Sequence, residues 1–87
     1  MRPERNPSYR SWIRLWPCLI CGRKAQAAHQ GPHGIGQKAS DYTCVPLCYE
    51  HHSEQGRIGR KAFDAKYGID LLAIGERLWE RWNEANK

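Results

Sequence analysis

The sequence lacks a long apolar run: nothing in its 87 residues approaches the roughly 18 consecutive apolar residues that a membrane-spanning helix needs. Its first residues, Met-Arg-Pro-Glu, do not resemble an apolar signal segment. We therefore expect no membrane partner and a cytoplasmic location. In that reducing compartment the four cysteines are expected to be thiols or metal ligands rather than two disulfides.

Acidic residues are nearly absent from the first part of the chain. Residues 1–38 hold seven lysines and arginines but one acidic residue, Glu4, so the net charge of +5 is concentrated there. Such a concentration is typical of a surface that contacts a phosphate backbone, although many small basic proteins bind no nucleic acid. Charge alone leaves both interpretations open.

The length predicts one small domain, for which an added staple such as a metal ion is physically reasonable. Periodicity and turn residues predict an α+β order of elements. We expect a helix over residues 8–16, a strand over 25–30, a Gly/Pro-rich loop over 30–40 and a second strand over 42–47. A helix from 48 to 55 should end near Gly56, and another over 59–67 should turn Ala62, Phe63 and Tyr67 inward. Asp70 is expected to cap a last helix, whose apolar stripe is Leu71, Ile74, Leu78, Trp82 and Ala85.

Two pairs of potential ligands have the spacing of zinc knuckles. Cys18 and Cys21, like Cys48 and His51, are separated by two residues, which lets both side chains of a pair turn toward one ion. These four residues form the predicted structural zinc site. An alternative set replaces His51 by Cys44, but the strand-like run between Cys44 and Cys48 would then have to bend around the ion. Redox use of Cys18 and Cys21 is less favoured, because the βαβ setting of such a motif is missing.

His52 directly follows the predicted zinc ligand His51. Consecutive residues of an α-helix are rotated by about 100°, so His52 faces a different side of the helix and can face the preceding strands. There it can meet His29, near the end of the first predicted strand. Two such histidines can supply a general base and a metal ligand, which metal-assisted hydrolysis of a phosphodiester requires. Taken singly, a histidine such as His29 is more often an ordinary polar residue.

Several motifs form one series along the chain: Pro17-Cys18-x-x-Cys21-Gly22, Ala28-His29, Gly34-x-Gly36-x-Lys38-x-x-Asp41, Pro46-Leu47-Cys48-x-x-His51-His52, Phe63 and Tyr67-Gly68-Ile69-Asp70. Together they resemble the HNH nucleases, most closely the small zinc-containing branch that is common in phages and prophages. The resemblance covers roughly residues 8–82 and implies a ββα-metal finger, in which a β-hairpin and a helix hold a divalent ion above a zinc knuckle, here flanked by an N-terminal helix and C-terminal helices.

The resemblance implies catalytic roles for individual residues. His29 corresponds to the general base on the strand, and His52 to the helix residue that binds the catalytic ion, whereas the zinc is structural. Asp41, or alternatively Thr43, corresponds to the middle asparagine that pins the loop to the strand, and Asp41 is the preferred candidate. A turn-capping aspartate is the ordinary alternative for Asp41. Lys38 is a candidate phosphate contact.

The chain departs from the family pattern at two positions. Many members have Asp or His immediately before the base, where this chain has Ala28, and some have a histidine at the position of Gly56. A weakly held Mg²⁺ or Mn²⁺, completed by water and substrate oxygens, is therefore expected at the catalytic site rather than a second zinc. His33 is a candidate for a missing ligand.

We predict one HNH nuclease domain over residues 1–87, with a core over about residues 17–56 and a helical part over about 59–85. The predicted activity is metal-dependent nicking or cleavage of DNA with low sequence specificity. The DNA would be held by basic residues that include Arg14, Arg23, Lys24 and Lys38. The alternative is a zinc-stabilised nucleic-acid-binding module without catalysis, and the sequence assigns no oligomeric state.

Overall fold

A computed structural model describes residues 6–30 and 41–86. The elements are α1 (Pro7–Leu15), β1 (Gln26–Ala28), a 3₁₀ helix (Asp41–Thr43), β2 (Val45–Leu47), α2 (Tyr49–Ile58), α3 (Arg60–Tyr67) and α4 (Leu71–Ala85). The α+β class predicted from the sequence is confirmed. Within these ranges, no helix combines the length and the apolar character that a bilayer crossing needs.

Helix α1 begins with a complete capping arrangement. The side chain of Asn6 accepts the backbone N–H of Tyr9 at 3.0 Å, and Pro7 occupies the first turn, where its missing N–H costs nothing. The helix ends at Leu15 because Trp16 is extended. Tyr9 and Ile13, four residues apart on one face, are buried, so α1 presents that face to the rest of the chain.

Strands β1 and β2 form an antiparallel pair in which Ala27 lies opposite Pro46. The predicted second strand over residues 42–47 was wrong in its first half, because residues 41–43 form the 3₁₀ helix. The Asp41 carbonyl accepts the Cys44 N–H at 3.1 Å, and the Asp41 side chain accepts the Asn6 N–H of α1 at 2.7 Å. These bonds turn the chain where an extended conformation was expected, and pairing starts only at Val45.

Two details of the predicted helices were also wrong. Helix α2 passes through Gly56 and ends at Ile58, because the next residue, Gly59, has a φ of +90° that is readily adopted only by glycine. Ala62 is exposed rather than inward, because α3 turns its Phe63 and Tyr67 face, spaced four residues apart, toward the core.

The hairpin lies between two apolar clusters. The first joins β1 and β2 to the helices that follow them; its buried members are Cys18, Ala28, Val45, Leu47, Cys48, Phe63 and Leu71. The second joins α1 to α4 around Tyr9, Ile13 and Cys44, with aromatic side chains from Trp12, Tyr42, Trp79 and Trp82. Leu71, Ile74, Leu78 and Trp82 of the predicted α4 stripe contact these clusters, but Ala85, in the last turn, is exposed.

Helix α4 packs close to the 3₁₀ helix at Gly75. A Cβ atom on Gly75 would lie 2.9 Å from the carbonyl oxygen of Thr43, a contact that requires the backbone to move. Although alanine favours a helix over glycine by about 1 kcal/mol, we expect Gly75→Ala to lower the free energy of unfolding by about 1–3 kcal/mol through overpacking. Urea unfolding measures this change.

Gly56→Ala is the matched control, because Gly56 is also helical and its Cβ would meet nothing within 4 Å. This control should raise the free energy of unfolding by up to about 1 kcal/mol. Equal effects of the two substitutions would contradict the close approach of α4 to Thr43.

Candidate functional site

The turn after α1 and the start of α2 bring four predicted metal ligands together. The ligand atoms of Cys18, Cys21, Cys48 and His51 all lie within 4.8 Å of one another. The Nδ1 atom of His51 is 3.7 Å from the Cys18 sulfur and 3.2 Å from the Cys48 sulfur. The sulfurs of Cys21 and Cys48 are 3.6 Å apart. We call these four residues the Cys₃His cluster.

The distances within the Cys₃His cluster fit a tetrahedral ion. Zinc with Zn–S and Zn–N bonds of about 2.3 and 2.0 Å separates its ligand atoms by about 3.5–3.8 Å. The measured separations of 3.2–3.7 Å are close to this range. The cluster can therefore hold a metal ion such as zinc, with His51 as a nitrogen ligand through Nδ1.

Backbone N–H groups favour the thiolate form of Cys18. Ile20 donates to the Cys18 sulfur at 3.4 Å, and His51 donates to the Cys48 sulfur at 3.5 Å, so that Cys48 also caps α2. Burial acts to raise the pKa of Cys18, but N–H groups that include those of Cys48, Cys21 and Ile20 lower it to about 6. The thiolate is the form that binds metal ions, so the fold prepares this ligand before the ion arrives. For Cys48, the N–H of His51 acts to lower the pKa, but burial and the side chains of Cys21 and Cys18 raise it above the ordinary value.

Cys44, the alternative fourth ligand, lies elsewhere. It is fully buried beside His29 and Asp41, and the ligand atoms of these three residues also lie within 4.8 Å of one another. The structure therefore brings together the set that contains His51, and not the all-cysteine set that contains Cys44.

His29, the predicted general base, follows β1 and contacts Asp41. Its Nε2 atom is 2.7 Å from Oδ1 of Asp41, and its side chain is 34% exposed. Asp41 is fully buried; its other oxygen accepts the N–H of Asn6 at 2.7 Å and forms an ion pair with Nε of Arg10 at 3.1 Å. Asp41 therefore links the start of α1 to the imidazole of His29.

The environment of Asp41 predicts a dependence of stability on pH. Burial acts to raise its pKa, but the N–H of Asn6, the His29 side chain and the charge of Arg10 lower it below the ordinary value. A carboxyl group with a lowered pKa in the folded state stabilises the fold above its unfolded pKa of about 3.9, and this contribution is lost as the pH falls through the folded value.

We expect Asp41→Asn to lower the free energy of unfolding at pH 7 by about 1–3 kcal/mol, because buried donors lose a charged partner. The difference between this variant and the wild type should shrink as the pH falls through the pKa of Asp41 in the folded state. Urea unfolding between pH 7 and the lowest pH at which both proteins fold measures the difference. Glu76→Gln, on the exposed face of α4, should follow the wild type throughout. A difference for Asp41→Asn that does not change with pH would refute this assignment.

His52 contacts β1, whereas its neighbour His51 belongs to the Cys₃His cluster. The Nδ1 atom of His52 is 2.8 Å from Oε1 of Gln26, which leaves Nε2 as the ring nitrogen that can bind an ion. Burial and the nearby charge of His29 both lower the pKa of His52. The neutral imidazole is the form that ligates metals. His29 and His52 therefore lie near enough for the charge of His29 to lower the pKa of His52.

The predicted DNA contacts that the structure describes are exposed. Arg14 lies in the last turn of α1 and donates to Ser11 at 3.0 Å, and Arg23 pairs with Glu50 at 3.4 Å. Lys24 is also exposed. Arg23 and Lys24 line an open groove of about 420 Å³, whose other lining residues are Cys48, Tyr49 and Glu50. The predicted contact Lys38 and the candidate ligand His33 lie outside the described residues.

The sequence interpretation missed several residues at the site. Asn6 and Arg10 of α1 reach Asp41 across more than 30 positions, and no local pattern indicates such a contact. Gln30 and Gln55 form a buried pair behind the two histidines. Their proximity to His29 and His52 in the sequence was the one available signal.

Residues 1–81 match the family described as "Protein of unknown function (DUF968)". The chain belongs to the DUF968 family. A relative, the uncharacterized protein YdfU of Escherichia coli strain K12, is 39% identical over 70 residues, which cover 76% of this chain and 20% of the relative. The chain thus spans about a fifth of the length of that relative. No solved structure matches this chain. The matched residues include the Cys₃His cluster, His29 and His52.

Proposed function

We propose that this DUF968 chain is a metal-dependent DNA endonuclease whose site is of the HNH, ββα-metal type. The proposal rests on the different positions of two neighbouring histidines, His51 and His52. His51 joins the Cys₃His cluster, while His52 lies against β1, near the His29–Asp41 pair. A hairpin and a helix with this arrangement supply a general base and a metal ligand beside a structural ion.

His29 is the general base in this proposal. If its Nε2–H donates to Asp41, the lone pair for accepting a proton is on Nδ1. A water molecule then loses its proton to Nδ1 while its oxygen attacks the phosphorus, and the bond from phosphorus to the leaving 3′ oxygen breaks. The Asp41 carboxylate stabilises the imidazolium that results, because it is buried and its other oxygen is held by α1.

His52 provides a ligand for the divalent ion through Nε2. Bound there, Mg²⁺ or Mn²⁺ would neutralise the charge that develops on the phosphate and on the leaving oxygen. Mn²⁺ accepts an imidazole nitrogen more readily than Mg²⁺, which prefers oxygen ligands. The Cys₃His cluster, filled by zinc, would hold the turn before β1 against the start of α2 and so support His52 from behind.

The exposed basic residues support DNA as the substrate. Arg14, Arg23 and Lys24 are exposed and can therefore contact phosphates. The ion pair of Arg23 with Glu50 is also exposed and contributes little by itself, so it does not prevent such a contact. Contacts of this kind bind the backbone of DNA without reading its bases. We therefore propose binding that weakens with salt and tolerates many sequences.

Incubation of the pure protein with supercoiled plasmid and Mg²⁺ or Mn²⁺ tests the proposal. We expect conversion to the nicked form that requires the added divalent ion. The rival function is a zinc-stabilised nucleic-acid-binding module without catalysis. Retention of DNA on a native gel, without cleavage in either metal, would replace the endonuclease by this module.

A further inference from the structure

Gln30 and Gln55 form a closed, buried pair of amides between β1 and α2. Nε2 of Gln30 donates to Oε1 of Gln55 at 3.2 Å, and Nε2 of Gln55 donates to Oε1 of Gln30 at 2.6 Å. Gln30 is 2% exposed and Gln55 is 7% exposed. Each amide thus meets both a donor and an acceptor in its partner, which is the arrangement that allows polar groups to be buried without loss.

Further bonds fix Gln30 to the hairpin. Its side chain donates to the carbonyl of Ala28 at 3.1 Å, and its backbone N–H donates to Oγ1 of Thr43 at 3.1 Å. The end of β1 is therefore tied to the segment before β2 and, through Gln55, to α2. These ties act where β1 has ended and its own ladder no longer holds the chain.

The pair is adjacent to both proposed functional histidines. His29 is the residue before Gln30, and His52 lies one helical turn before Gln55 in α2. A displacement of Gln30 relative to Gln55 therefore shifts His29 relative to His52. Both strands are only three residues long, so they alone restrain this end of β1 weakly.

We propose that the Gln30–Gln55 pair is a positioning element that sets the geometry between His29 and His52. This inference rests on the proposed endonuclease function, because it assigns the pair a role in catalysis. Neither glutamine touches the reacting atoms. The pair acts through the histidines beside it, and a misplacement of about 1 Å between catalytic groups can cost on the order of 100-fold in rate.

A double substitution separates positioning from stability. Gln30→Met or Gln55→Met alone leaves a buried amide without its partner and should lower the unfolding midpoint. The double variant removes both polar groups at similar volume and should regain most of that midpoint. Its kcat for plasmid nicking should nevertheless stay about 10- to 100-fold below the wild-type value, with an unchanged KM for DNA. Wild-type kcat in a folded double variant would overturn the inference.

Tyr67→Phe provides the matched control. Tyr67 donates its hydroxyl to Glu54, so this bond joins α2 to α3 on another side of α2. The substitution should lower the unfolding midpoint without changing kcat. An equal loss of kcat in Tyr67→Phe and in the double variant would show that general loosening of α2, and not the amide pair, is responsible.

Backbone ¹⁵N relaxation gives a readout that does not need activity. In the double variant the backbone order parameters at positions 29 and 30 should fall from the rigid value of about 0.85, while that of His51 should not. Unchanged order parameters would overturn the inference even if the wild type nicks DNA. Absence of nicking by the wild type would instead refute the proposed function, and the catalytic role of the pair with it.

Discussion

Replacement of His29 by alanine should reduce metal-dependent plasmid nicking by about 10²- to 10⁴-fold, the usual contribution of a general base. The imidazole is lost together with the partner of the Asp41 carboxylate, 2.7 Å away. Because the His29 side chain is 34% exposed, the truncation opens no closed cavity and the fold should persist. The rate of conversion of supercoiled to nicked plasmid in Mn²⁺ measures the effect.

The control for His29→Ala is Ser53→Ala, which changes an exposed residue beside His52 and should leave nicking intact. Zinc content and the circular dichroism of both variants should equal those of the wild type, since neither residue belongs to the Cys₃His cluster. Nicking at the wild-type rate by folded His29→Ala would remove this residue from the mechanism. Asp41→Asn should give an intermediate loss, because the imidazole remains but its orienting partner is weakened.

Substitution of His51 by alanine should release the structural ion and unfold most of the chain. Structural zinc contributes an apparent 10–16 kcal/mol, roughly, in small zinc domains, whereas the net stability of a typical domain is only about 5–15 kcal/mol. Because the contribution of the ion is as large as the net stability, the loss of one of its four ligands should unfold the protein. Zinc content by atomic absorption, together with helical circular dichroism, measures both consequences.

Cys44→Ser is the informative counterpart to His51→Ala. Cys44 is buried, but it lies with His29 and Asp41 rather than in the Cys₃His cluster, so the variant should retain its zinc. Cys21→Ser should behave like His51→Ala even though Cys21 is exposed and its substitution removes no core packing. Zinc loss from Cys44→Ser combined with retention in His51→Ala would show that the ion uses the all-cysteine set instead.

The parts of the fold that could be predicted are those encoded over short distances. The two-residue spacing of the knuckles and the cap at Asp70 each specify geometry within one turn. A turn at Asp41 was one of the two roles that the sequence offered for this residue, but its contact with the N–H of Asn6, 35 positions earlier in the chain, could not be predicted. Helix propensity pointed to an end at Gly56, but the turn that needs a positive φ comes at Gly59.

The candidate site divides in the same way. The rotation between His51 and His52 follows from helix geometry alone, so their separation onto different partners was predictable. The buried pair formed by Gln30 and Gln55 was not predictable. A buried Gln30–Gln55 pair is stable only when two distant amides meet in matching orientation, and neither residue type indicates burial.

Cys48 can bind a metal ion as part of the Cys₃His cluster, and its sulfur also caps α2 by accepting the N–H of His51. We therefore expect fraying of the first turn of this helix to be coupled to dissociation of an ion bound by the cluster. Transient opening of that turn cannot proceed independently while the metal is bound. The amide protons of His51 and His52 should accordingly exchange with solvent only as fast as the ion dissociates.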